Sequence, residues 1–385
     1  MAERWASGRR LYPDNLKVVL IAGVIAIHGV LSYAGMLDVW WYTEVREVTL
    51  SVVTQGLLFM VVGPFGVLLI PLLFLVAGLL TAPSVDRKGP GPYAKDRLLR
   101  LGVPFIVYVA LLQPVVVYSL ERPLGVADRS FFHELLGSPP QVDLGPLWFV
   151  GVLLVYSLVY AGWVAVRRPA ARGRAAAHPI RVTHLLLAAA VVAPTTFLIR
   201  LVYPVGGESL IGGFNFWEWP ACITAFVVGI VGYRQGWLEA VPGTLARQCR
   251  NLTLLTAALF AAAMLGAMLV GALDEFVWRG GPNWVALMFV CFESVLTLLG
   301  PVWLLSVAQR RLDRRLRWVS PAVRRSAFGA FVVQVLVLTV LAVVMRPLPL
   351  PAEVKALVVA GGGVAGSFAL AWLLISRVPG VRRFL

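Results

Sequence analysis

Apolar residues in this chain come in long unbroken blocks, and polar residues are confined to the gaps between them. Ten blocks reach membrane-spanning length, near 18–36, 56–82, 101–120, 145–166, 183–203, 217–236, 252–273, 284–308, 326–346 and 354–376. About 20 apolar residues of helix cross a bilayer core. The fold class expected is therefore all-α, a polytopic membrane helix bundle with about ten transmembrane helices. The blocks run from end to end, so residues 1–385 form one integral-membrane domain with no fused soluble domain expected. The second block is about 27 residues long and contains Gly63, Pro64 and Pro71, which predicts a tilted or broken span. Gly362 and Gly366 have GxxxG spacing, which suits close helix packing. Only the gaps near 37–55, 83–100 and 121–143 are long enough for loops with structure of their own, and Trp40, Trp41 and Tyr42 in the first suit the headgroup level. There is no internal repeat of the kind found in transporters built from duplicated halves.

Charge orients the bundle. The chain has a formal net charge of +15, and 27 of its 34 lysines and arginines fall in alternate gaps and at the two ends. This asymmetry is the positive-inside pattern, and with an even number of spans it puts both termini in the cytoplasm. The basic gaps then meet anionic membrane lipids, and a nucleic-acid partner is excluded. Basic residues precede the first block, but more spans follow it, so it reads as a retained span. Cys222, Cys249 and Cys291 have no metal-ligand or disulfide spacing, and no metal is expected.

The first block carries the most informative chemistry. His28 lies near its centre and Lys17 eleven residues earlier. On a helix that separation is within ~20° of three full turns and rises ~16 Å, so the two share a face; Asp14 falls within ~40° of the same line. An ionisable group at that depth is costly and reads as functional, with packing against a neighbouring helix as the structural alternative. Ser32 follows His28 by four residues and shares its face. Arg97 and Arg100, three apart at the start of the third block, offer two guanidinium forks suited to phosphate, or alternatively snorkel to headgroups. Glu293 is the one acid deep in a block, with an arginine or His28 as its expected partner. Arg200 and Glu218 lie at outer block ends and read as interfacial, with acceptor binding as the alternative. His133, His178 and His184 have no spacing that suggests a site.

Taken in order, Lys17 and His28, the second-block ending LLFLVAGLLTAPSVDRKG, the R-x-x-R of Arg97 and Arg100, and PLWFVGVLLVYSLVYAGW resemble the membrane-bound acyltransferase family 3 over essentially the whole chain. The resemblance implies an inner-membrane multi-pass enzyme of the EC 2.3.1 type. Such an enzyme moves an acyl group, acetyl above all, from cytoplasmic acyl-CoA to a hydroxyl of a glycan, lipid-linked sugar or secondary metabolite. It implies His28 as the essential histidine, Lys17 in place of the usual arginine, and Arg97 and Arg100 as the arginine pair at the donor. Acyl-CoA is then a co-substrate and no cofactor is bound permanently. Asp14, Ser32, Trp148, Glu293 and Gln334 complete the site as substrate-binding candidates. The chain departs from the pattern at Pro146, before Trp148, and at Gln334, where many relatives carry histidine. The rival reading is a transporter or lipid-linked saccharide flippase that uses His28 and Glu293 for coupling. The sequence leaves the oligomeric state open.

Overall fold

The computed structural model describes residues 10–35, 46–121, 144–167, 179–207, 213–269 and 277–384. Within these residues ten helices are long and apolar enough to cross a membrane. They are α1 (Tyr12–Leu31), α2 (Gly66–Lys88), α3 (Pro90–Val116), α4 (Gly145–Arg167), α5 (Val182–Arg200), α6 (Phe216–Arg234), α7 (Gly243–Ala267), α8 (Trp284–Arg311), α9 (Pro321–Met345) and α10 (Ala352–Arg377). The described residues contain no strand. The expected class and number of spans are thus observed. Trp40, Trp41, Tyr42, His133 and His178 lie outside the described residues.

Three boundaries differ from the sequence reading. The first helix starts at Tyr12, six residues early, because Pro13 and Asp14 make a favourable first turn. His28 consequently lies in the last turn of α1 and not at its centre. The expected inner loop at 83–100 is also helical. Gly89, at φ +81°, makes a one-residue turn between helices that continue through the basic residues on both sides. Likewise α7 starts at Gly243, so Cys249 is inside a helix and not in the 234–250 loop. Basic residues at these positions snorkel and lengthen the helices beyond their apolar cores. The irregularity expected in the second block is real: a π-helical turn, Leu58–Val62, precedes the helix that runs from Gly63. Two more π turns, Leu98–Gly102 and Tyr108–Leu112, interrupt the third span.

Helix α8 is the hub of the bundle, in contact with α1, α2, α5, α6 and α7, while α9 and α10 pack on each other and on α1. Small residues permit the closest approaches. A Cβ on Gly78 of α2 would collide with the Phe226 carbonyl of α6, and one on Gly229 of α6 with the Leu75 carbonyl of α2. Gly29 lies as close to the backbone of Ala360 in α10, where a Cβ would come within 2.7 Å. Gly362 and Gly366 both face α9, against Leu341 and Val337, as their spacing predicted.

The start of α1 and the segment after α10 meet at one face of the bundle, the basic face, where the Asp313 carboxylate fastens α1. It accepts the amides of Leu11 (2.7 Å) and Tyr12 (3.3 Å) and pairs with Arg10 at 2.8 Å. Partial burial works against the Asp313 charge, but these bonds outweigh it and hold the carboxyl below its usual range. Asn15 adds bonds to the carbonyls of Leu312 (2.7 Å) and Arg314 (2.9 Å). At the other face, residues 46–55 strap the end of α1 to α10. Arg46 donates to the Ala34 carbonyl (2.6 Å), Leu50 to that of Tyr33 (2.9 Å), and Ser51 to Glu353 (3.0 Å), while Glu47 pairs with the buried Lys355 at 2.6 Å.

Candidate active site

His28 and Gln334 are 306 residues apart and meet where α1 crosses α9, with His28 Nδ1 3.0 Å from Gln334 Oε1. The Gln334 side chain is fully buried, and its amide nitrogen donates to the Phe331 carbonyl at 3.0 Å. A carbonyl can only accept, so the Gln334 amide group must face Phe331 and its oxygen must face the histidine. The imidazole then donates from Nδ1, and Nε2 carries the lone pair. Ser32 is buried and its hydroxyl donates to the His28 carbonyl at 3.1 Å, closing the last turn of α1.

His28 lines a cavity of about 590 Å³ inside the bundle. Its walls are mainly apolar, with Phe59, Phe260, Trp278 and Phe289 packed ring against ring on one side, and Trp148, Trp217 and Phe331 elsewhere. Leu58 and Phe59 of the first π turn reach this wall, so the break before α2 borders the cavity. The same cavity is lined by Arg200, Glu218 and Glu293. Arg200 Nη2 reaches both oxygens of Glu293, at 3.0 and 2.7 Å. Of the two partners expected for Glu293, the arginine is the one observed. The interfacial reading of Arg200 is corrected: the residue is only 3% exposed, and its side chain turns inward from the end of α5.

Lys17 and Asp14 line a different cavity, about 520 Å³, at the basic face. Arg324 and Arg325 of α9 and Arg382 after α10 complete its cationic wall. Between the two cavities the α1 face is filled by the buried side chains of Leu20, Ile21 and Val24, so the stripe from Lys17 to His28 has an apolar layer in its middle. Arg97 and Arg100 line neither cavity. Each turns back to the residue four before it. Arg97 stacks over the Tyr93 ring at 5.0 Å, and Arg100, 63% exposed, pairs with Asp96 at 3.0 Å. The structure therefore joins His28, Trp148 and Glu293 around one cavity, with Gln334 buried beside His28 and bonded to it, joins Lys17 and Asp14 at another, and separates both from Arg97 and Arg100.

Sequence reasoning missed Arg324, Arg325 and Arg382 as pocket residues, because loop arginines that set topology look alike before α9 and α10 bring three of them to Lys17. For Arg200 and Glu218 the interfacial reading outweighed acceptor binding because span ends ordinarily face the interface.

The arrangement is a partly buried histidine in a large, mainly apolar cavity that also holds Arg200, Glu218 and Glu293, and a separate cationic pocket around Lys17. Neither a search of curated proteins nor one of solved structures returned a match. The family model for an acyltransferase domain of the acyltransferase 3 type matches residues 10–376, nearly the whole chain. The protein thus belongs to the acyltransferase 3 family of multi-pass membrane acyltransferases.

Proposed function

We propose that this acyltransferase moves an acyl group, acetyl in the first instance, from acyl-CoA to a hydroxyl of a glycan, lipid-linked sugar or secondary metabolite, with His28 as general base. The observation that carries this reading is the bond between Gln334 and Nδ1 of His28, a residue that also lines the central cavity; with Nδ1 so tied, Nε2 would be the proton acceptor. In the step envisaged, the acceptor oxygen attacks the thioester carbonyl carbon as Nε2 takes the hydroxyl proton. The carbon–sulfur bond then breaks and the coenzyme leaves as a thiolate, which takes up the proton. A neutral imidazole is matched to that transfer near pH 7.

Coenzyme A is polyanionic, and the basic face is where its phosphates would be met. Lys17 offers charge there beside Arg324, Arg325 and Arg382, and Arg97 and Arg100 lie at the start of α3. The pantetheine arm would then run past Leu20, Ile21 and Val24 towards His28, a rise of ~16 Å along α1. By the positive-inside rule the basic face is cytoplasmic and the membrane is the inner one.

The test is release of coenzyme A thiol from acetyl-CoA by the full-length protein in nanodiscs, with hydroxyl acceptors supplied. His28→Ala should lower turnover by roughly 10²- to 10⁴-fold. Turnover at the wild-type rate in that variant would remove His28 from the mechanism.

A further inference from the structure

We propose that Arg200, Glu218 and Glu293 form the acceptor subsite of the central cavity, built to read two adjacent hydroxyls on a neutral or amine-bearing ring. The proposal rests on the acyltransferase reading and goes beyond it by naming the residues and the charge class that select the acceptor.

The hydrogen-bond inventory of Arg200 comes first. Its guanidinium is almost wholly buried, and a single nitrogen, Nη2, serves both Glu293 oxygens. Among the described residues Nε and Nη1 have no hydrogen-bond partner. Buried donors are nearly always met, so two idle nitrogens on one cavity-lining arginine point to a ligand that accepts from them. Glu218 supplies the complement. Its carboxylate lines the same cavity within electrostatic range of Arg200 and Glu293, and it makes no hydrogen bond among the described residues. One wall thus offers N–H groups that only donate and a carboxylate that accepts. A hydroxyl both donates and accepts, and two neighbouring hydroxyls can meet both at once.

Charge and shape narrow the class. The Arg200 charge is already balanced by Glu293 and Glu218 adds no positive charge, so the wall has no cation left over to hold an anionic ring. Trp148 and Trp217 line the same cavity, and they suit the apolar face of a ring. The base shares the cavity, which puts a hydroxyl held at this wall and another presented to His28 within one bound molecule.

The experiment uses the full-length protein in nanodiscs and saturation-transfer NMR with four small probes. These are methyl β-glucoside (neutral diols), methyl β-glucosaminide (an amine), methyl β-glucuronide (an anion) and cyclohexanol (a single hydroxyl). The first two should bind, and the last two should be at least ~10-fold weaker, because a wall built for hydroxyls rejects analogues that leave it unpaired. Glu218→Gln is isosteric and spares the Arg200–Glu293 pair, so it carries the test. It should weaken the glucoside by roughly tenfold, with acetyl-CoA affinity unchanged. Arg200→Lys should weaken the glucoside likewise.

The proposal falls if no probe binds, if the glucuronide binds as well as the glucoside, or if Glu218→Gln leaves probe binding unchanged. Glu218-dependent binding with acetyl transfer indifferent to His28→Ala would leave the subsite standing and remove the base. His28-dependent transfer with glycoside binding indifferent to Glu218 would do the reverse.

Discussion

A histidine with one nitrogen tied to a carbonyl oxygen can offer only the other, and at the residue scale this makes Gln334 a positioning residue. Gln334→Leu keeps the volume and removes the acceptor for Nδ1–H. Turnover of acetyl-CoA should fall roughly 10- to 100-fold, as when other groups that orient a functional imidazole are lost. Gln334→His restores an acceptor nitrogen at the same place and should keep most of the activity. Equal loss in both variants would mean that packing, and not the hydrogen bond, is what matters. Asp313 gives a prediction about stability. Its carboxyl is held below the ordinary range, so its contribution is present above the unfolded-state value and is lost as pH falls through the lower folded value. Asp313→Asn should therefore lower the melting temperature at pH 7, and the gap from wild type should narrow as the pH falls below the ordinary carboxylate range and through the lower folded value. A gap that stays constant across that window would show that the charge is not the cause.

At the element scale, backbone contact between helices decides what the bundle tolerates. Gly229→Val would drive side-chain atoms into the α2 backbone at Leu75, where neither partner is a flexible side-chain end. Overpacking of this kind costs about 1–3 kcal/mol or more, and should appear as loss of the monodisperse peak in size-exclusion chromatography. Gly162→Ala, where the added Cβ meets nothing within 4 Å, should leave that peak unchanged. Existence and number of elements were legible in the sequence, because a bilayer demands long apolar runs and leaves little choice of structure for them. Boundaries were less so. Polar residues such as Asp14, Asn15, Arg97 and Arg100 are inside helices here, since helices extend past the apolar core wherever caps and neighbouring loops meet their ends.

At the scale of the whole molecule, the separation of two cavities makes the donor path testable. Arg324→Ala with Arg325→Ala should weaken coenzyme A binding by roughly tenfold or more, since charge-assisted bonds to phosphate are each worth ~1.5–3 kcal/mol. Arg97→Ala with Arg100→Ala should do less, because Arg100 already serves Asp96 and Arg97 lies over Tyr93. The opposite ranking would move the entrance beside α3. His28 and Glu293 were legible because an ionisable residue in an apolar block stands out on its own. Gln334 was legible only through the family resemblance, and the bond partners of Arg200 and the arginines around Lys17 were not, because each acquires its meaning from a residue brought close only by folding. Helix α1 joins these two places. It is clamped to Asp313 at one end and held against Ala360 at Gly29 near the other, so the rotation of His28 is set some sixteen residues away. A single alanine inserted after Leu20 would add no charge and delete nothing, yet would swing the imidazole by about 100° from Gln334. The helix is in this sense a gauge whose length is read in whole turns, and catalysis should survive substitution along its lipid-facing side far better than any change in its count of residues.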